Sequence, residues 1–260
     1  MRHAVTVLGL ASLLALLPGC MDITGRGPAP LQKTIGIAAA EKPRVGHIYC
    51  MRGWLGIFST GMDRLAEEID NQVGAPAVSV ADEEWRRLKG WIIQEKEKGK
   101  FDNEPLVLLG HSWGADDMIR VAQDLQEKHI NVDLLILIDP VTPPPIPTNV
   151  KRAYCVYKSH PVTDSVPFWR GVPATVVDPK ATPLTNIDLR TTDVGFDTTD
   201  IDHINIEKSA GVHDMVMQQI KQVCPLRTVW LQEHRTSSNA VTQAPVTTGG
   251  ASLKASVVTP

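Results

Sequence analysis

The hydrophobic residues of this chain form short apolar runs that alternate with amphipathic stretches. A run of this kind is typical of a buried parallel strand, because such a strand is covered on both faces. Alternating strands and helices predict an α/β fold with a mainly parallel sheet of about six strands and helices on both faces. The candidate strands are residues 45–50, 75–80, 106–109, 132–138 and 153–157, and residues 172–189 hold further short extended pieces, such as 174–177.

The amphipathic stretches predict the helices. Ser59 is expected to cap the first helix, residues 82–98 form the second, and a third follows Ser112. The last helix is predicted over residues 212–223. Because Ser, Thr, Ala, Gly and Pro dominate afterwards, residues 236–260 are predicted to be a disordered tail.

The N-terminus predicts export. Residues 4–17 form an apolar run that is too short to span a bilayer with ease and is typical of a secretory signal. The run ends before Cys20 in a sequence that resembles a bacterial lipoprotein signal, in which Cys20 is lipidated; a plain secretory signal is the alternative. We therefore expect a signal peptide over 1–19, a tether over 20–43 and a folded domain over 44–235, held by lipid on the periplasmic side of the envelope or soluble there.

Composition narrows the function classes. The chain has 260 residues, 43% of them hydrophobic, and a net charge of -3, which gives no footprint for nucleic acid. It contains no nucleotide-binding P-loop, no H-E-x-x-H and no C-x-x-C, so the sequence predicts neither a cofactor nor a metal. Cys50, Cys155 and Cys224 could form one disulfide outside the cytoplasm or remain as buried free thiols.

The most informative motif lies in residues 106–114, where G-x-S-x-G follows an apolar strand and precedes a helix. A sharp turn from strand to helix forces Ser112 into a strained conformation and brings the backbone so close that side chains at Gly110 and Gly114 would clash. A chance match is the alternative, but the strand before and the helix after weigh against it. Asp116 and its neighbour favour the helix start, where the macrodipole attracts negative charge.

A serine hydroxyl needs a base to become a nucleophile, and the base needs an acid to orient it. Three of the eight histidines, His160, His203 and His213, remain as candidates for the base. The other five lie in the signal, beside the serine, in or before strands, or near the tail: His3, His111, His47, His129 and His234. His203 is the best placed, because it follows the last extended segment and precedes the last helix. His213 is expected on the surface of that helix, and a helix cap is the structural alternative for His203.

Two aspartates compete for the acid. Asp139 ends the strand next to the serine strand, so it lies at the same edge of the sheet as the serine. Asp164 lies in the loop after the following strand, the other usual position for this residue. Asp139 is favoured, while Asp188 and Asp202 stay open. The order serine, aspartate, histidine along the chain suits a hydrolase of this architecture.

An acyl-transfer site also needs backbone donors for the oxyanion. The amide of Trp113, at the start of the helix, is the first candidate. The loop of residues 53–56 after the first strand is expected to supply the second donor, from Trp54 or, as the alternative, from Leu55. An ordinary turn between strand and helix would explain the glycines of this loop equally well.

Over residues 45–223 the chain resembles the α/β-hydrolase superfamily, close to its bacterial lipase or esterase-like and thioesterase-domain members. That resemblance implies Ser112 as nucleophile, His203 as base and Asp139 or Asp164 as acid. The stretches that carry it are RGWLGIFSTGMDRLAEEI, PLVLLGHSWGADD, VDLLILIDPV, IPTNVKRAYCVY and DHINIEKSAGVHDMVMQQI.

The sequence departs from the common pattern of that superfamily in two ways. Arg52-Gly53 replaces the usual His-Gly of the oxyanion loop, which leaves the identity of the donor open. No clear lid domain is visible, which argues against a lidded triglyceride lipase.

These features predict a serine hydrolase of carboxylic esters or thioesters that works through an acyl-enzyme on a small-molecule substrate in the cell envelope. Acyl transfer to a hydroxyl acceptor would use the same residues. The alternative from another class is an inactive hydrolase-fold lipoprotein that binds or scaffolds other envelope components. The intact serine, histidine and aspartate candidates weigh against that alternative.

Overall fold

A computed structural model describes residues 42–54, 59–99, 103–160 and 170–242. The predicted signal peptide and Cys20 lie outside the described residues, as do Leu55 and Asp164. The strands are β1 (His47–Met51), β2 (Ala77–Val80), β3 (Leu106–His111), β4 (Leu134–Ile138), β5 (Ala153–Tyr157) and β6 (Leu184–Asp188). The α-helices are α1 (Gly61–Glu68), α2 (Trp85–Glu97), α3 (Trp113–Gln126), α4 (Ala210–Val223) and α5 (Arg227–Thr242).

The six strands form one sheet in the order β2-β1-β3-β4-β5-β6, and every neighbouring pair is parallel. All residues of β3 and β4 are buried, as their apolar runs predict. The carboxyl ends of these two central strands therefore meet at one edge of the sheet, and the residues that follow them become neighbours. This arrangement confirms the predicted fold class.

Two hydrophobic cores cover the two faces of the sheet, because successive side chains of a strand point to opposite faces. On one face, Leu108 and Leu137 pack in the same core as Leu88 of α2 and Met118 of α3. On the other face, Leu109 packs with side chains of α1 and α4. The apolar stripes of those two helices are Met62 and Leu65 in α1, and Val212, Val216 and Ile220 in α4. The predicted helices on both faces are thus confirmed.

The sixth strand lies within the stretch 172–189 for which extended pieces are predicted, but not at residues 174–177. Residues 174–177 make only an isolated bridge, Val176 to Ile146, whereas β6 pairs with β5 at the edge of the sheet. The sequence of β6 is LTNID, and its residues are half-buried or exposed. An edge strand pairs with a neighbour on one side only and is less buried than a central strand. Its sequence therefore needs no apolar run, and the hydrophobic pattern gives little indication of it.

The C-terminal part of the chain also differs from the prediction. Helix α4 is not the last helix, because α5 follows it and runs to Thr242, past the predicted start of the tail at Thr236. The polar composition of α5 hid this helix. Within the described part of the chain, no helix is both long and apolar enough to cross a membrane.

The three cysteines of the described residues are free and buried. Burial raises the pKa of the Cys50 and Cys155 thiols, and raises that of Cys224 to about 12. A thiol that stays protonated is a poor nucleophile and here serves as a small apolar side chain. The choice that the sequence left open is resolved in favour of buried free thiols.

Candidate active site

Ser112 occupies the bend between β3 and α3. Its backbone angles are φ 57° and ψ -126°, a region that residues with a side chain rarely adopt and that costs on the order of 1–3 kcal/mol. The amide of Ser112 donates to the carbonyl of Ile138 at 3.0 Å, which ties the bend to β4. The side chain is thereby held at the carboxyl edge of the sheet, with only 6% of the residue exposed.

Two glycines permit this bend, as the sequence predicts. A Cβ on Gly110 would lie 2.4 Å from the carbonyl oxygen of Gly114, and a Cβ on Gly114 would lie 2.1 Å from the carbonyl oxygen of Arg52. Both contacts involve backbone atoms, which cannot move aside as a flexible side chain can. The predicted clash is confirmed, and it explains why both positions need glycine.

His203 reaches Ser112 from an irregular segment between β6 and the short 3₁₀ turn Ile206–Lys208. The distance between Ser112 Oγ and His203 Nε2 is 2.9 Å, which is a normal hydrogen bond. The two residues are 91 positions apart in the chain. The structure therefore brings together the predicted nucleophile and the predicted base.

Asp139 is the first residue after β4 and lies on the far side of the imidazole. Its Oδ2 is 2.6 Å from His203 Nδ1, and its Oδ1 accepts a hydrogen bond from the Lys158 amide at 2.8 Å. The side chain is 1% exposed. Asp139 also has a positive φ of 50°, so two consecutive strand ends carry strained residues.

The contacts fix the tautomer of His203. An ionised carboxylate can only accept, so Nδ1 carries the proton and donates it to Asp139. The lone pair of Nε2 is then free to accept the hydroxyl proton of Ser112. This polarity is the one that a general base requires when a serine attacks a carbonyl.

The fold is that of an α/β-hydrolase. A parallel sheet, a strained serine in a tight turn from strand to helix, and a histidine and an aspartate placed at its side in the chain order serine, aspartate, histidine together define this architecture.

No model of a known protein family and no curated protein sequence matches this chain. Among solved structures, it is similar to the NocB thioesterase domain from the nocardicin cluster, with 11% identity and a TM-score of 0.42, over 66% of this chain and 92% of that one. A hydrolase of the alpha/beta superfamily from Xanthomonas campestris gives 14% identity and a TM-score of 0.35, over 67% and 99% of the two chains. At these values neither likeness tells which reaction this chain performs.

A third similar structure is a hyperthermophilic esterase from Pyrobaculum calidifontis. The identity is 20% and the TM-score 0.32, over 40% of this chain and 39% of that one. The chain thus spans well under half of the esterase, and the shared part shows no more than a likeness in fold.

Two of the other candidate acids, Asp188 and Asp202, make contacts away from His203. Asp188 accepts hydrogen bonds from the amide and hydroxyl of Ser159, and Asp202 accepts from the amides that follow it in its own turn. Asp164 lies outside the described residues. Of the candidate bases, His160 is exposed, and only His203 contacts Ser112 among the histidines that the structure describes.

Residues 170–172 pack against Asp139 and the two residues that follow it. Arg170 Nε donates to the carbonyl of Val141 at 2.8 Å, and the amide of Val172 donates to the carbonyl of Pro140 at 3.0 Å. Between them, a Cβ on Gly171 would lie only 1.7 Å from Asp139 Oδ1. A side chain at position 171 would occupy the space of the Asp139 carboxylate, so this position needs glycine.

Asp116 has a role that the sequence did not reveal. Its carboxylate is fully buried and accepts hydrogen bonds from the Val141 amide at 3.3 Å, the Thr142 amide at 2.8 Å and the Thr142 hydroxyl at 3.0 Å. Burial raises its pKa to about 6. Because Asp116 belongs to α3 and its partners follow Asp139, it links the helix that starts at the serine to the loop that carries the acid.

His111, the residue before Ser112, contacts the segment that carries His203. Its Nε2 donates to the carbonyl of His203 at 3.1 Å, and its Nδ1 is 2.6 Å from Ser59 Oγ. Burial lowers the pKa of His111 well below its usual value, so the ring is neutral and Nδ1 accepts the Ser59 hydroxyl proton. The prediction that Ser59 caps α1 is therefore wrong: Thr60 holds the cap position, and no side chain caps the helix.

The loop after β1 runs alongside the serine. A Cβ on Gly53 would lie 3.0 Å from the Cβ of Ser112, and the buried guanidinium of Arg52 pairs with Asp63 on α1. This ion pair anchors the loop where a His-Gly pair is usual. Trp54 is half exposed beside the site, at 49%. The assignment of the Trp113 and Trp54 amides as oxyanion donors stays a prediction.

His213 is buried, not on the helix surface as predicted. Its Nδ1 is 2.6 Å from Glu68 Oε2, and its Nε2 donates to the carbonyl of Glu207 at 2.7 Å. These contacts join α1, α4 and the turn that follows His203. Helical spacing placed His213 on a polar face, but that face packs against α1 through this polar contact.

Glu207 is a fully buried carboxyl near the base. Neither carboxyl oxygen makes a hydrogen bond of normal geometry among the described residues, although the backbone of Gly61 lies near enough to act on its pKa, and Lys208 Nζ is 4.0 Å from Oε1. Burial raises the pKa of Glu207 to about 7. No cluster of three or more His, Cys, Asp or Glu side chains suited to a metal ion occurs in the described ranges.

We predict opposite effects of two glycine-to-alanine substitutions on stability. Gly171→Ala should lower the free energy of unfolding by about 1–3 kcal/mol, because the new methyl group overlaps the buried carboxylate of Asp139. Gly90→Ala, in open space on α2, should raise it by about 0.5–1 kcal/mol, because alanine favours helix. Urea denaturation measures both. Equal stabilities would contradict the close contact at Asp139.

The buried Glu207 predicts a pH effect. Its folded pKa of about 7 exceeds the ordinary value of 4.5, so the folded protein holds this proton more tightly and stability falls as pH rises between those values. Glu207→Gln should have nearly wild-type stability at pH 5 and exceed it by up to about 3 kcal/mol at pH 8.5. Glu67→Gln removes an exposed carboxylate of α1 and is the control. Identical pH profiles for the Glu207 variant and the wild type would contradict this expectation.

Proposed function

We propose that this protein is a serine hydrolase that cleaves carboxylic ester or thioester bonds through an acyl-enzyme. The observation that carries the proposal is the continuous hydrogen-bonded chain from Ser112 Oγ through His203 to the buried carboxylate of Asp139. Each member comes from a different part of the sequence, and each is held by further contacts. A purely structural role would not require hydrogen bonds of this polarity, because a simpler contact would hold the three residues together equally well.

In the proposed reaction, Ser112 Oγ attacks the carbonyl carbon of the substrate while its proton passes to His203 Nε2. The tetrahedral intermediate collapses when the imidazolium protonates the leaving alcohol or thiol, which leaves the acyl group on Ser112. Water then gives a proton to His203 and attacks the acyl carbon. The second tetrahedral intermediate collapses when the bond to Ser112 Oγ breaks and His203 returns the proton to Oγ, which releases the carboxylic acid and restores the free enzyme. Asp139 stays ionised throughout and stabilises the positive ring.

The oxyanion of both intermediates would lie at the start of α3, where the helix dipole favours negative charge. We assign the amides of Trp113 and Trp54 as its donors. Their support is the position of Trp113 directly after Ser112 and the close approach of Gly53 to Ser112. Removal of one such donor costs about 100- to 1,000-fold in rate in other enzymes.

The substrate is proposed to be a small-molecule ester or acyl compound in the cell envelope. We propose that the chain is exported and anchored through lipid at Cys20, on the strength of the apolar segment and the cysteine that follows it. If the acceptor of the acyl group is a hydroxyl compound instead of water, the same residues perform acyl transfer, and product analysis separates the two reactions.

A fluorophosphonate probe tests the proposed nucleophile. We expect the wild-type protein to be labelled, Ser112→Ala to be unlabelled, and His203→Ala to react at least about 1,000-fold more slowly, because the serine loses its base. Ser159→Ala is the matched control: its hydroxyl also bonds a carboxylate, Asp188, but lacks an imidazole, so this variant should label normally.

Folded wild-type protein that resists labelling would contradict the proposal and favour a binding or scaffolding role. If the wild-type protein reacts with the probe, its rates of hydrolysis of short and long p-nitrophenyl esters then give its preference for acyl-chain length.

A further inference from the structure

Lys158 follows β5 directly and makes hydrogen bonds in two directions. Its backbone amide donates to Asp139 Oδ1 at 2.8 Å. Its ammonium group donates to three backbone carbonyls, those of Thr198 at 2.6 Å, Thr199 at 3.1 Å and Ile201 at 2.6 Å. Nothing in the sequence pattern distinguishes this lysine from the other surface lysines, because its partners are about 40 residues away in the chain.

The three carbonyls account for the full donor capacity of the ammonium group, which has three N–H bonds. Carbonyl oxygens that converge on one point repel each other unless a positive group lies between them. The backbone turns around that point carry further negative charge, since Asp197, Asp200 and Asp202 belong to the same segment. Lys158 therefore supplies the positive charge around which this segment folds.

The segment in question carries the base. It runs from the end of β6 to the 3₁₀ turn Ile206–Lys208 without a regular element, and its last carbonyl bound by Lys158, that of Ile201, lies two residues before His203. A segment without helix or strand bonds depends on side-chain contacts to hold its shape. The Leu189 amide ties the start of the segment to the Tyr157 carbonyl at the end of β5, and the ammonium group of Lys158 ties the part just before His203 to the same end of β5.

The two ends of Lys158 therefore act on the same hydrogen bond. The amide fixes one oxygen of Asp139, and the other oxygen receives the proton of His203 Nδ1 at 2.6 Å. The ammonium fixes the segment that brings His203 to that oxygen. Because the backbone and side chain belong to one residue, the acid and the base are positioned relative to each other from a single point.

We propose that Lys158 is a positioning residue of the active site, which holds Asp139 through its amide and the His203 segment through its ammonium group. This inference rests on the proposed function. Lys158 touches neither Ser112 nor any reacting atom in the described contacts, so its effect on the reaction is indirect. Loss of the ammonium group should slow the chemical step without weakening substrate binding.

The test compares three variants with the wild type. Lys158→Met removes the ammonium group but keeps the amide and the length of the side chain. Lys158→Cys, treated with 2-bromoethylamine, restores an ammonium group at nearly the original length, while three of the four native cysteines, Cys50, Cys155 and Cys224, are buried. Lys151→Met is the control, because Lys151 precedes the same strand and its exposed side chain pairs only with Asp133 among the described contacts.

Two measurements are made on each protein. Hydrogen–deuterium exchange of residues 198–205 should be at least about 10-fold faster in Lys158→Met than in the wild type, since the segment loses its ties. On a short p-nitrophenyl ester, kcat should fall by about 10- to 100-fold with KM unchanged within about 2-fold, because a small displacement of the base slows the reaction strongly. Aminoethylation of Lys158→Cys should restore both values, and Lys151→Met should change neither.

The proposed role of Lys158 would be overturned if folded Lys158→Met exchanged at residues 198–205 as slowly as the wild type does, or if its kcat equalled that of the wild type. Failure of the aminoethylated cysteine variant to recover either value would overturn it as well. If the wild-type protein neither hydrolyses the ester nor reacts with the fluorophosphonate, the proposed function fails. Exchange alone then decides whether Lys158 holds the segment: faster exchange in Lys158→Met supports this, and unchanged exchange refutes it.

Discussion

The tight bend at Ser112 is the constraint on which the rest of the site depends. The serine occupies a backbone conformation that is unfavourable by itself, and the two flanking glycines allow carbonyl oxygens to come within 2.1–2.4 Å of where a Cβ would be. The surrounding structure stabilises this conformation, since β3 before the bend is wholly buried and α3 after it buries eight of its 14 residues. The outcome is a hydroxyl fixed at the edge of the sheet.

A set of buried polar contacts aligns the remaining groups with that hydroxyl. Asp116 joins the serine helix to the loop after Asp139, and His111 joins the serine strand to the backbone of His203. Lys158 joins Asp139 to the segment that carries His203. Each contact ends on a buried or half-buried group whose loss would leave an unsatisfied partner, so the site is held by mutual dependence between segments that are distant in sequence.

The sequence predicted the parts of the fold and of the site that leave a local pattern. Apolar runs identified β3, β4 and β5, and the placement of Asp139 at a strand end singled it out as the acid candidate that the structure puts beside His203. The edge strand β6 was not singled out and the helix α5 was missed, because the residues of β6 are half-buried or exposed and the sequence of α5 is mostly polar.

Polar residues whose partners lie far along the chain could not be assigned from the sequence. Ser59 reads as a helix cap and His213 as a surface residue, because spacing reports only the periodicity of their own helix. Their partners, His111 and Glu68, are 52 and 145 residues away. Asp116 was interpreted through the helix dipole for the same reason, although its carboxylate binds a loop.

The most direct test of the central claim is to trap the acyl group on Ser112. The protein is mixed with p-nitrophenyl acetate, quenched with acid within one turnover and digested with trypsin. The mass of the peptide of residues 101–120 is then measured by mass spectrometry. The account predicts that this peptide gains one acetyl group on Ser112, and that the gain disappears in His203→Ala. Release of p-nitrophenol by the wild type without an adduct on Ser112 would contradict it.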